Sequence, residues 1–181
     1  MSWPVTVAAF AVGAVAAGVL VGGLLGALGG LLDIAETAAL VLLAAASAGG
    51  LTLDLRRHGE HLPGPRRQVD ERWLHRYRGW VYGVGFGFQL GVGVLTVITT
   101  SAVYLMLLAA LLSGSWRSGA VIGAIFGAGR AASLLPARTV RTPAAVVAID
   151  GRLRRLEVPA RRLTLAAMVC VLAVSIALAV V

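Results

Sequence analysis

Long apolar stretches, separated by short polar segments, dominate the chain. Five stand out: residues 5–32, 37–55, 80–112, 119–135 and 163–181, the fourth with one arginine inside it. About 18 apolar residues coiled as a helix cross a hydrocarbon core about 30 Å thick. Strands of a membrane barrel need only about ten residues and alternate apolar with polar residues, which these stretches do not. The pattern therefore predicts an all-α fold, a polytopic transmembrane bundle of about five to seven helices.

Glycines recur at every fourth position in three of these stretches. The repeating positions are Gly18, Gly22, Gly26 and Gly30, then Gly79, Gly83, Gly87 and Gly91, and finally Gly119, Gly123 and Gly127. This spacing puts the smallest side chain along one face of a helix, so a neighbouring backbone can approach closely. We expect these glycines to lie where helices pack together.

The apolar stretches fall into two similar halves. Residues 5–55 and residues 79–137 each hold a long glycine-rich stretch, a short polar break and a second apolar stretch. Residues 56–79 and 138–162 are polar connections, and residues 163–181 form a last apolar segment. We expect one membrane domain over residues 1–181, made of two related repeats plus a C-terminal transmembrane helix.

Stretch 80–112 is too long for one straight crossing, since about 33 helical residues would extend about 50 Å. A polar group that includes Thr96, Thr99, Thr100 and Ser101 lies in its middle. We predict a break there, giving one crossing plus a kinked or partly re-entrant piece.

Charge is confined to the connections. Hydrophobic residues make up 59% of the chain and charged residues 13%, with a net charge of +8, and all 16 basic residues are arginine. Most lie in residues 56–79 and 138–162, which favours a cytoplasmic location for both loops, contact with anionic lipid headgroups and a multi-pass protein of the inner (plasma) membrane. Nucleic-acid binding is not expected. The spacing of Val69, Trp73 and Tyr77 predicts an interfacial helix in the first loop.

The N-terminal stretch is about twice as long as the hydrophobic region of a secretory signal. It also lacks a basic leading segment, so we expect it to be retained as a membrane helix.

Arg130 is the main candidate for a functional residue, because a charge inside an apolar helix is unfavourable by at least about 2.5 kcal/mol. It could face a cavity and bind an anion, or pair with an acidic residue such as Asp33, Glu36 or Asp54. It could equally extend to a nearby membrane surface. Both explanations stay open at this point.

Polar residues of stretch 80–112 complete the predicted substrate site. The full set is Arg130, Gln89, Thr96, Thr99 and Thr100. These side chains could mark a broken helix that exposes backbone groups to a solute, or could simply form hydrogen bonds between helices.

The sequence contains no pattern of residues that is typical of a catalytic site or of a metal site. His58, Glu60, His61 and His75 match no strong metal-site spacing, and no serine, histidine and acid set is apparent. Cys170 is the single cysteine, so no disulfide can form within the chain. We expect no metal, no cofactor and no enzymatic activity.

Residues 79–137 contain the strings GWVYGVGFGFQLGVGVLTVITTSAVY and AVIGAIFGAGRAASLLPA. They resemble a half-repeat of the CcdA and DsbD-type membrane proteins of cytochrome c biogenesis, within the wider group of LysE-like and TauE-like transporters. Gly127, Gly129 and Arg130 correspond to that family's glycine and arginine near the end of a repeat. The resemblance implies about six helices with a site between two repeats. That family carries electrons through one cysteine in each repeat, and neither half has one here.

Two functions therefore remain open. The favoured one is a small transporter-like protein for a small solute, with an anion as one candidate. The alternative is a non-transporting membrane subunit or assembly factor that packs against other membrane proteins or against a second copy of the chain.

Overall fold

The computed structural model describes residues 3–56, 78–94, 98, 100–132 and 143–180. The described part is all-α, as predicted, and holds six helices and no strand. The helices are α1 (Trp3–Leu32), α2 (Glu36–Arg56), α3 (Gly79–Val92), α4 (Ala102–Leu112), α5 (Trp116–Ala132) and α6 (Pro143–Val180).

Among the described residues, three helical segments are long and apolar enough to span a membrane: Pro4–Leu32, Glu36–Arg56 and Arg155–Val180. Large apolar side chains stand exposed on them, with Leu24 at 65% and Leu163 at 73% of their full accessible surface. Such surfaces are compatible with a membrane location, where lipid chains can cover them. The other two predicted stretches form shorter helices.

The break predicted in stretch 80–112 is confirmed, because α3 ends at Val92 and α4 begins at Ala102. Gly93 ends α3 with a φ of 81° and donates its N–H to the Leu90 carbonyl at 3.1 Å. Side chains other than glycine rarely adopt this backbone conformation.

Contacts with α1 show the direction in which the other helices run. Along α3, Gly83, Gly87 and Gly91 lie in turn against Thr6, Phe10 and Ala14 of α1. Farther along α1, Gly29 lies against Leu111 near the end of α4. The two short helices therefore follow one another beside α1, in the same direction, as one interrupted helix.

Helix α5 returns along α1 in the opposite direction. Gly119, Gly123 and Gly127 lie against Gly22, Gly18 and Ala14 of α1, respectively. The reversal takes place at residues 113–115, where Gly114 has a φ of 58°. A tight turn between antiparallel helices commonly needs such a positive φ.

Helices α2 and α6 form a second group, antiparallel to each other. Gly50 of α2 faces Met168 of α6, and a guanidinium nitrogen of Arg161 donates to the Asp54 carbonyl at 3.0 Å. Apart from α6, the main neighbour of α2 is α4.

Helix α6 begins well before the predicted C-terminal segment, so much of the stretch expected as a loop, 138–162, is helical. The residues explain the difference: Pro143 suits the first position of a helix, and alanine, leucine and arginine are good helix formers. Pro159 lies inside the helix.

Candidate functional site at the helix break

The helices around the break touch through their backbones. The predicted packing glycines Gly18, Gly22, Gly26, Gly30, Gly83, Gly87, Gly91, Gly119, Gly123 and Gly127 all face a backbone carbonyl of another segment, and a methyl group at any of them would overlap that carbonyl oxygen. Gly79 is half-buried at the start of α3. Only glycine, which has no side chain beyond a hydrogen atom, permits such close contact. The backbones of α3 and α5 therefore both lie directly against the backbone of α1.

Arg130 reaches the carboxyl end of α3. Its guanidinium donates to the Gly93 carbonyl at 3.4 Å and lies over the Phe126 ring, 5.4 Å from the ring centroid. Phe126 in turn packs against Ile98 and Val103. The last carbonyls of a helix lack partners within the helix and carry partial negative charge. A cation at this position therefore stabilises the end of α3.

Asp54 reaches the opposite side of the break, at the amino end of α4. Its carboxylate accepts the Thr100 hydroxyl at 2.6 Å and the Ser101 N–H at 3.0 and 3.2 Å. The first N–H groups of a helix are unpaired and carry partial positive charge, so a carboxylate is favourable there. The positively charged Arg130 thus lies at the carboxyl end of α3, and the Asp54 carboxylate lies at the amino end of α4. Each is favourable for the partial charge of that helix end.

Asp33, one of the three acidic residues considered as a partner of Arg130, lies far from it along α1. Gly127, one turn before Arg130, lies against Ala14, and Asp33 follows Ala14 by 19 positions along α1. That separation is about 28 Å at the rise of an α-helix. Asp54, the third candidate, binds Thr100 and Ser101.

The structure brings together part of the predicted substrate site. Arg130 and Thr100 lie on the two sides of the break. Gln89 is half-buried on α3, two positions after Gly87 and so about 200° around the helix from the face that meets α1. Thr96 and Thr99 lie outside the described residues.

Two predicted features of the first polar connection also fall outside the described residues. One is the interfacial helix with Val69, Trp73 and Tyr77. The other is the histidine-containing group His58, Glu60, His61 and His75.

Sequence reasoning missed Asp54 and Ser101 as a connected pair. Asp54 stood out only as one of three acidic residues that could pair with Arg130, and Ser101 only as one of several hydroxyl residues. Nothing local connects positions so far apart in the chain. The available signal was the acidic residue itself, since a helix start is the backbone feature that best accommodates a carboxylate in apolar surroundings.

Comparison with curated proteins relates the chain to a named group. A protein from Paracoccus versutus, named methylamine utilization protein MauF, is 33% identical over 147 residues, which cover 75% of this chain and 52% of the relative. The protein of the same name from Paracoccus denitrificans is 36% identical over 126 residues, covering 68% and 44%. The one from Methylophilus methylotrophus is 35% identical over 133 residues, covering 71% and 46%. The chain is similar to MauF.

The chain spans about half the length of the MauF proteins that it matches. No protein-family model matches it. No solved structure matches it either.

These relatives correct the family and the function expected from the sequence. The resemblance to CcdA and DsbD-type proteins and to LysE-like and TauE-like transporters is wrong, because the matching proteins are named for methylamine utilization. For the same reason, the expected function in solute transport is wrong. The strings that suggested it are glycine-rich and apolar, and any membrane helices that pack backbone to backbone need such sequences.

Proposed function

We propose that the chain is a membrane protein that takes part in methylamine utilization, without carrying a solute and without enzymatic activity of its own. One observation carries the proposal: four proteins named methylamine utilization protein MauF are 30–36% identical over 68–82% of the chain. An origin shared with these proteins makes a role in the same pathway the simplest expectation.

The described polar contacts support a non-transporting role. Arg130 binds the end of α3, and Asp54 binds the beginning of α4, so both charges act on helices of the chain itself. A charge that fixes a helix end contributes to architecture. The lipid bilayer is the expected surrounding, and a second copy or another membrane protein could cover part of the exposed apolar surface.

Deleting the gene for this chain tests the proposed pathway. We expect the deletion strain to grow several-fold more slowly than its parent when methylamine is the sole nitrogen source, and normally on ammonium. A plasmid copy of the gene should restore growth. Equal growth of the two strains on methylamine would contradict the proposal.

Uptake of radiolabelled methylamine by the same strains separates a pathway role from transport. We expect the initial uptake rate to be equal in parent and deletion strain. A loss of uptake that parallels the growth defect would contradict the non-transporting role.

We also propose that the protein lies in the inner membrane with both arginine-rich connections in the cytoplasm. The direction of the helices supports this topology, because α2 ends, α3 begins and α5 ends toward the same end of α1. Arginine-rich segments are retained on the cytoplasmic side. The turn between α4 and α5 would then face the opposite side.

Single cysteines in a Cys170→Ala background test this topology. Ser118 is exposed near the beginning of α5, and Arg78 is exposed just before α3. In intact spheroplasts we expect a membrane-impermeant maleimide to label Ser118→Cys. Arg78→Cys should react only after the membrane is opened. The reverse pattern would show that the proposed orientation is inverted.

A further inference from the structure

The helices fall into two groups that meet at the break. In the first, α1, α3 and α5 pack closely through glycines, and α4 packs against α1 and α5. In the second, α2 and α6 pack on each other, and among the other described helices the main neighbour of α2 is α4. The contact between α2 and α4 therefore fixes how the second group sits on the first.

One carboxylate dominates the polar part of that contact. Asp54 accepts hydrogen bonds from the Thr100 hydroxyl and from the Ser101 N–H, both at the start of α4. Gly50, one turn earlier in α2, leaves space for the Ser101 side chain. The Ser101 hydroxyl points at the Met168 sulfur, 4.0 Å away, so α2, α4 and α6 meet at a single cluster.

The hydrogen bonds of this contact are partly buried, so breaking them is unfavourable. If α2 moved away from α4, the Asp54 carboxylate and the N–H groups at the start of α4 would both lose these partners. Within each group, by contrast, no described contact uses the Asp54 carboxylate, and Arg161 of α6 binds the Asp54 backbone carbonyl instead. Glycine contacts hold α1 to α5, and α2 packs on α6 at Gly50, which faces Met168.

We propose that Asp54, Thr100 and Ser101 form a latch that holds the α2–α6 pair against α4. With the latch closed, the two helix groups have one fixed arrangement. Without the carboxylate, the α2–α6 pair separates from α4 while α1 and α5 keep their contact. Asp54 is thus a positioning residue, and the proposal does not depend on the role in methylamine utilization.

Two engineered disulfides can report on the two contacts separately. A Cβ built on Gly50 lies 3.3 Å from the Ser101 Cβ, and one built on Gly23 lies 3.6 Å from the Ala120 Cβ. Both distances are close to the Cβ separation of about 3.5–4.5 Å found in disulfides. The pair Gly50→Cys with Ser101→Cys reports on the latch. The pair Gly23→Cys with Ala120→Cys reports on the contact between α1 and α5.

The first pair is compatible with the latch itself. Ser101→Cys keeps the backbone N–H that Asp54 accepts. The new side chain at position 50 approaches the Met168 methyl group at 2.9 Å, and the flexible end of a methionine can move aside. Cys170→Ala removes the native thiol, which is exposed on α6.

Oxidation with copper phenanthroline in native membranes is the measurement. We expect Asp54→Leu to slow formation of the latch disulfide on the order of tenfold and to leave the Gly23–Ala120 disulfide unchanged. Asp54→Asn keeps one acceptor oxygen without the charge and should give an intermediate rate. Thr52→Leu is the matched control, since Thr52 is exposed on the same helix and bonds only its own turn among the described contacts.

Three outcomes would overturn the latch. If Asp54→Leu forms the latch disulfide at the parental rate, other contacts hold α2 against α4. If Asp54→Leu slows both disulfides equally, Asp54 supports the whole fold and no separate latch exists. A slower latch disulfide in Thr52→Leu as well would show that any change on α2 has this effect.

Discussion

Replacing Gly123 by alanine should destabilise the protein, although alanine is the better helix former. A methyl group at this position would overlap the Gly18 carbonyl oxygen, so α1 and α5 would have to move apart along their whole contact. Forcing a group into a close-packed interior lowers the free energy of unfolding by about 1–3 kcal/mol. The gain in helix propensity offsets at most about 1 kcal/mol. Unfolding of the purified protein in mixed detergent, followed by circular dichroism, measures the difference.

Gly129 supplies the matched control on the same helix. Apart from its chain neighbours and the backbone of its own helix, no atom of the described part of the chain comes within 4 Å of a methyl group built there. Gly129→Ala should therefore leave stability unchanged or raise it slightly. Equal effects at Gly123 and Gly129 would mean that glycine acts here through backbone flexibility, and the close contact between α1 and α5 would not be what requires it.

Replacing Arg130 by methionine should have the next largest effect. Methionine has a long side chain without a branch at Cβ, as arginine does. It lacks the donor to the Gly93 carbonyl and the cation over the Phe126 ring. A hydrogen bond from a charged donor contributes about 1.5 kcal/mol or more. We expect a comparable loss in the free energy of unfolding, again measured in mixed detergent. Arg130→Lys should recover part of it, because lysine keeps the charge near the end of α3.

Arg117 provides the control for Arg130. It lies on the same helix, with its guanidinium 5.7 Å from the centroid of the Trp116 ring, but it is exposed. Arg117→Met should change stability little, since the cation at an exposed ring remains solvated. If both substitutions had the same small effect, Arg130 would contribute no more than an exposed arginine, and its contact with Gly93 would be unimportant.

The sequence alone predicted the helical class, the position of the break and the glycines that meet other helices. Each depends on local information. The length of an apolar stretch predicts a membrane helix, and a four-residue glycine repeat predicts the face on which that helix packs. The cluster of threonine and serine residues around Thr100 indicates where the long stretch is interrupted. Such features can be recognised before any neighbour is known.

The partners of the charged residues could not be predicted in this way. Arg130 binds a backbone carbonyl, and every residue has one, so no pattern in the sequence distinguishes Gly93 as the acceptor. Asp54 and Thr100 lie 46 positions apart and come together only because α2 packs beside α4. Spacing alone likewise did not show that α3 and α4 run in the same direction as α1.

Contact between α1 and α5 through bare backbone changes which substitutions the protein can tolerate. In a water-soluble protein the large apolar side chains of the interior are the hardest to replace. Here many leucines and valines are exposed on the described helices, so another apolar residue can replace them without disturbing the packing. The positions with no side chain are the irreplaceable ones. In a saturation-mutagenesis profile of this chain, the most sensitive positions should therefore be the glycines between helices, and the large apolar residues should tolerate substitution.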